Sequence, residues 1–321
     1  MELKPDTPRP PTQDDVAFDL ESALGSVLAL RSHIPEDAMT ASILGTERAG
    51  HGVAINDSGL VLTIGYLITE AESVWLVDNA SNTVPAYVVA YDQETGFGLV
   101  QALQRLSVPG LPLGSSDSLA RGDYVVFAGH GGVSQAVAAE VVLKREFAGY
   151  WEYLLEEAIF TAPAHPNWGG AAIIGRDGTL RGIGSLLVQH MRGDEEAFNA
   201  TMVVPIDLLK PILEELLTYG RRNKPGRPWL GMMTTEYEGH LVVAGVTNGG
   251  PADKAGVETG DVVIEVNGES VSGLATMFRR IWRLGDAGVS VPLTVYRSDS
   301  TREIVIESVN RDQRLKRPAL H

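Results

Sequence analysis

The feature that most constrains the fold is a train of short runs rich in Val, Ile and Leu, broken at close intervals by glycine and by Asn/Asp turns. The runs lie at residues 52–55, 60–63, 74–77, 87–91, 98–103, 124–128, 138–143, 158–162, 171–174 and 182–188. Segments this short are strand-length rather than helix-length, and their even spacing argues for an all-β barrel or sandwich. Asn56-Asp57-Ser58-Gly59 and Gly175-Arg176-Asp177-Gly178 supply the residue types that hairpin turns need. Glycine supports the same reading: 35 of 321 residues exceeds the usual share of ~7%.

The pattern changes at Val203. In VVPIDLLKPILEELLTYGRR, residues Leu208, Leu209, Ile212, Leu213, Leu216 and Leu217 recur at spacings of three and four, which predicts a helix with one apolar face. Gly220 and two arginines suit its C-terminus. The expected organisation is an N-terminal arm over 1–20, a barrel domain with its exit helix over 21–220, a basic linker over 221–228 (RRNKPGRP), a smaller α+β domain over 229–310, and a basic tail over 311–321. Residues 1–15 are polar and proline-rich, so the arm is expected to be mobile. The smaller domain should have strands near 241–246, 261–266 and 291–296 and a helix around 274–284.

Composition removes whole classes of function. Lys+Arg 26 against Asp+Glu 41 leaves a net charge of −15, which repels phosphate backbones and anionic headgroups, so neither nucleic acid nor membrane is expected as a partner. With no cysteine there is no disulfide, no thiolate nucleophile and no cysteine-ligated metal. The seven histidines show no ligand spacing, so no metal and no cofactor are expected. No run approaches the ~18 apolar residues of a spanning helix. The opening MELKPDTPRPPTQDDVAFD has acids and prolines where a signal peptide carries a basic region and an apolar core. As written, the chain reads as cytoplasmic, or as periplasmic if a precursor segment has been removed.

Three passages together resemble the HtrA (Deg) family of trypsin-like serine proteases, over about residues 24–309. They are the ordered barrel segments (GHGVAINDSGLVLTIGYLITEAESVWL, YDQETGFGLVQAL, LPLGSSDSLARGDYVVFAG, IFTAPAHPNWGGAAIIGRDGTLRGIG), the exit segment VPIDLLKPILEELLTYGR, and PWLGM followed by GPADKAGVETGDVVIEVNGESV. The resemblance implies a mainly β fold: a trypsin-like double β-barrel, a linking helix and an α+β PDZ-like domain. It also implies a possible homotrimer.

That family's chemistry needs a serine nucleophile, a histidine base and an aspartate that orients it. The matching positions here hold Tyr66, Gly96 and Trp168, and no histidine lies between His51 and His130. No serine occurs from Gln135 to Gly184. Pro166 stands where the family's glycine donates a backbone N–H to the oxyanion, and proline has none. The resemblance therefore implies a proteolytically inactive member acting as a peptide-binding scaffold or regulator. The alternative is a serine endopeptidase or other hydrolase with a reworked site. His165 is the candidate base, with Asp177 or Glu157 to orient it. Asp92 or Glu94 could replace the lost aspartate, and Thr161 could be the nucleophile. Each has a bland reading as a structural or solvated residue. The aromatic segment FAGYWEY, Phe147 to Tyr153, is either a plug that fills the vacated cleft with Tyr66 and Trp168 or a binding platform.

The PDZ-like domain keeps more of its machinery. Such domains add an extended peptide to a sheet edge and hold its terminal carboxylate in a backbone nest. By resemblance, Leu230, Gly231 and Met232 form the nest, the strand from Met233 takes the peptide, and Met277, Phe278 and Ile281 wall the pocket for its last side chain. The expected partners are peptide or protein C-termini with an apolar last residue. The bland reading is a module that only packs or mediates assembly.

Overall fold

The computed structural model describes residues 8–190 and 198–316. The chain divides into two compact units: described residues up to Arg145, 157–223 and Lys316 form the first, and Glu146–Glu156 with Lys224–Leu315 form the second.

The first unit holds two closed barrels. Strands β1 (Val27–His33), β2 (Glu47–Ala54), β3 (Leu60–Ile64), β4 (Ser73–Val77), β5 (Thr83–Tyr91) and β6 (Phe97–Ala102) close in the order β1-β2-β3-β6-β5-β4. Strands β7 (Tyr124–Ala128), β8 (Ala136–Gly149), β9 (Tyr153–Ala162), β10 (Ala172–Gly175), β11 (Leu180–His190) and β12 (Phe198–Pro205) close in the order β10-β11-β12-β9-β8-β7. Each expected apolar run falls on one of these strands. β3 and β7 are buried along their whole length, which is why LVLTI and YVVFA read as continuous apolar runs rather than alternating ones. The turn joining β8 to β9 lies in the segment that belongs to the second unit.

Two short helices, α1 (Leu20–Gly25) and α2 (Ala41–Leu44), precede β2. α1 is capped by Asp19, whose carboxylate accepts the Ser22 N–H at 3.1 Å. The exit helix is shorter than its spacing predicts. Val203–Pro205 complete β12, residues 206–208 form a single 3-10 turn, and only Leu213–Tyr219 is α-helical (α3). Pro211 cannot donate to the turn before it, so regular helix begins after it. Gly220 closes α3 at φ +67°, as its position suggested.

Of the arm expected to be mobile, residues 1–7 lie outside the described residues, while residues from 8 onward are tied down. The Arg9 carbonyl accepts the Ala138 N–H at 2.8 Å, and its guanidinium pairs with Asp15 at 2.8 Å. That pairing holds the Asp15 carboxyl well below the usual range. Of the tail, residues 317–321 likewise lie outside the described residues.

The second unit contains β13 (Met232–Tyr237), β14 (His240–Val246), α4 (Pro251–Ala255), β15 (Val262–Val266), β16 (Glu269–Ser270), α5 (Leu274–Arg283), β17 (Ser290–Arg297) and β18 (Ser300–Glu307). The sheet runs β13-β14-β15-β17-β18, with β16 paired to β15, so β13 is an edge strand. The predicted strands and the helix at 274–284 are all present; α4, with proline at its start and Gly256 at its C-cap, was not anticipated. Within the expected linker, the Gly226 carbonyl accepts the Ala287 N–H at 2.9 Å and the Arg227 guanidinium lies 4.2 Å from the Trp282 ring centroid, both inside this unit.

Candidate functional site

Tyr66 sits in the one-turn 3-10 segment that follows β3. Its Oη donates to the Ser185 carbonyl at 2.9 Å and accepts a hydrogen bond from the Trp168 side chain. Burial pushes the phenol well above its ordinary pKa, so it stays neutral. Trp168 packs on the core of the second barrel. Gly96 stands at φ +83° and its carbonyl accepts the Gly65 N–H at 2.7 Å. Two of the three positions where the resemblance places catalytic groups are thus filled by large side chains bonded to each other, and the third has no side chain. The segment Phe147–Tyr153, weighed as part of this filling, belongs to the second unit.

His165 is 1% exposed and both its nitrogens are committed. Nε2 lies 2.9 Å from the Gln135 carbonyl, and Nδ1 accepts the Asn167 N–H at 3.0 Å. A carbonyl only accepts, so the proton is on Nε2 and no lone pair is left to take one from a substrate. The ring stacks on Phe127 at 5.1 Å, and burial lowers its pKa. The carboxylates considered as its orienters are engaged elsewhere: Asp177 pairs with Arg181 at 2.7 Å and Glu157 with Lys144 at 2.8 Å. Asp92 accepts the Thr95 N–H at 2.9 Å and the Thr95 hydroxyl at 2.7 Å, so it braces the turn before β6; Glu94 pairs with Arg222 at 3.0 Å. Thr161 is fully buried with no basic neighbour on its hydroxyl.

Sequence reasoning did not single out His51, on β2. Its ring lies edge-on to His165 at 6.3 Å, and its Nδ1 accepts the His130 N–H at 3.1 Å. Burial and the two neighbouring histidines lower its pKa to about 4, so it is neutral at pH 7. Nothing local in the sequence signals this meeting, because its partners are distant along the chain. Among the described residues, no group of three His, Asp or Glu side chains could hold a metal ion.

In the second unit the backbone N–H groups of Leu230, Gly231 and Met232 converge on one carboxylate, that of Glu152, at 3.0, 2.8 and 3.3 Å. Gly231 adopts φ +75°, and a Cβ there would stand 2.9 Å from the Trp229 ring, so the loop requires glycine. Leu230, Met232, Met277, Phe278 and Ile281 are buried in a single apolar cluster that also contains Leu154. Met277, Phe278 and Ile281, expected to wall the pocket for a peptide's last side chain, thus share this cluster with Leu154. Met233, the next residue on β13, is half-buried and lies beside Gly245.

Glu152 escaped the sequence reading because FAGYWEY drew attention through its aromatics. Trp151 stacks on Tyr153 at 5.6 Å and meets Tyr150 edge-on at 5.0 Å, while the Tyr150 carbonyl accepts the Thr234 N–H of β13 at 3.1 Å. Glu152 itself is held at φ +61°, a left-handed conformation uncommon outside glycine. Burial pushes its carboxyl up to about 7, against the pull of the three amides and of Arg311.

The two units define a class: residues 50–183 match the trypsin-like peptidase domain family and residues 228–307 match the PDZ domain family. That pair is the domain arrangement of the HtrA family, and the chain is homologous to the DegP and DegQ proteases of that family. It is 25% identical over 275 residues to the periplasmic pH-dependent serine endoprotease DegQ of Escherichia coli (strain K12), covering 81% of this chain and 59% of the relative. Among solved structures it is similar to the HtrA-type protease AlgW with tripeptide (TM-score 0.52, 19% identity, 96% of this chain and 99% of that one). It is also similar to the serine endoprotease from Yersinia pestis (TM-score 0.51, 18% identity, 92% and 98%). The chain spans a little over half the length of the curated relatives it matches.

Proposed function

We infer that this HtrA-type chain does not hydrolyse peptide bonds and acts instead by binding peptide or protein C-termini through its PDZ unit. The observation that carries the first half is the state of His165, whose two nitrogens are committed to backbone groups. With Tyr66, Gly96 and Trp168 at the positions of base, orienter and nucleophile, acyl transfer by the family route has no proton acceptor and no attacking oxygen. Proline at 166 removes an oxyanion donor besides, a loss that typically costs about 10² to 10³ in rate.

The second half is supported by the Leu230–Met232 nest, whose amides are aimed at a carboxylate, and by β13 at the sheet edge. The HtrA-type protease AlgW, similar in fold, is described with a tripeptide and with a decapeptide. The relatives are named as periplasmic, and among the described residues no helix is long and apolar enough to cross a membrane. Incubation of the pure protein with a fluorophosphonate probe and with an unfolded protein substrate tests the inactivity. No labelling and no cleavage above buffer is expected, and stoichiometric labelling would refute it. Calorimetry with paired free-acid and amidated peptides tests the binding, with the free acid expected to bind more tightly.

A further inference from the structure

The nest of the PDZ unit already holds a carboxyl group, and that group belongs to the chain. We propose that residues 150–154 are a built-in pseudo-ligand: the Glu152 side chain stands in for a peptide's terminal carboxylate, and an outside C-terminus binds only by displacing this segment. The proposal rests on the reading of the groove as a peptide site and adds how that site is regulated.

Three contacts, each of a kind that an incoming peptide would make, are made by five consecutive residues. The Glu152 carboxylate takes the three nest amides at 2.8 to 3.3 Å. The Tyr150 carbonyl takes the outward N–H of Thr234 at 3.1 Å, one rung of the ladder that an added strand would form on β13. Leu154 packs in the apolar cluster with Phe278 and Ile281, where the resemblance places a ligand's last side chain. Outside these contacts, Arg279 of α5 pairs with both Glu146 and Glu156, so the chain on either side of the segment is clipped to the helix beside the groove. The left-handed backbone at Glu152 turns an internal residue so that its side chain reaches where a chain end would. A carboxylate needed only for solubility would be at the surface; this one is 8% exposed.

The test compares the full-length protein, Glu152→Ala and Glu152→Gln for binding of a fluorescent peptide ending in a free-acid valine and of its amide, after thermal unfolding has confirmed folding of each. Glu152→Ala is expected to bind the free acid at least tenfold more tightly than the unsubstituted protein, with Glu152→Gln in between. Equal affinities for all three proteins would overturn the pseudo-ligand and leave the peptide reading standing. Absence of binding by every variant would overturn both. Amide exchange at Leu230, Gly231 and Met232 then separates the cases further, since a vacated nest exchanges faster in Glu152→Ala. Should Glu152→Ala fail to fold, Arg279→Ala decides: it lies on the exposed face, frees only the chain on either side of the segment, and should tighten binding, whereas unchanged affinity would overturn the proposal.

Discussion

Tyr66, at the position where the resemblance places a histidine base, ties two neighbours together with one hydroxyl. Its Oη satisfies the Ser185 carbonyl and the Trp168 side chain together. Tyr66→Phe should therefore leave the barrel folded but less stable by about 1–3 kcal/mol, the usual cost of orphaning buried polar partners, as measured by urea unfolding. Gly96 makes the complementary point. At φ +83° it is a poor site for any side chain, so Gly96→Asp should cost about 1–3 kcal/mol and, even combined with Trp168→Ser, produce no fluorophosphonate labelling. The nest at Leu230–Met232 was legible in the sequence because a short loop motif encodes it locally. The residues at the three positions where the resemblance places a triad could likewise be read one by one. Glu152 was not legible, because its partners lie 78 to 80 residues further along the chain and nothing in its own neighbourhood announces them.

At the scale of elements, strands were legible wherever an apolar run was bounded by glycine or Asn/Asp, and both barrels follow from that punctuation. The stretch after Val203 misled because β12 ends in Val-Val-Pro, apolar residues that fit a helical spacing as readily as a strand until Pro211 is weighed. The segment 146–156 could not be assigned to a unit from its own residues, since a hairpin tip is placed by what it packs on. Its docking should depend on pH. The Glu152 carboxyl moves from 4.5 to about 7 on burial, so the docked segment binds a proton more tightly than the free one. Docking strength is then fully present below pH 4.5 and is lost as pH rises through about 7. Arg311 opposes the shift through space, and Arg279, Glu146 and Glu156 flank the segment at the surface. Exchange of the Leu230, Gly231 and Met232 amides, corrected for intrinsic rates, should show greater protection at pH 5 than at pH 8, and Glu152→Gln should flatten the difference.

At the scale of the whole molecule, each unit has a buried core of its own, one centred on Phe127 and Ile159 and the other on Phe278 and Leu293. Two cores predict two transitions in scanning calorimetry. Phe278→Ala, which empties a fully buried position, should lower the transition of the PDZ unit by an amount equivalent to about 3–5 kcal/mol and leave the other in place; a single transition that shifts as one would contradict this.

A ligand carried on the same chain is never diluted. Tethered segments commonly experience effective concentrations in the millimolar range, whatever the amount of protein in solution. Every tenfold by which that value exceeds the segment's own dissociation constant weakens an outside peptide about tenfold. The groove would then ignore dilute chain ends and answer only to those displayed at high local density. Its threshold would be set by the reach of one hairpin rather than by any contact the partner makes.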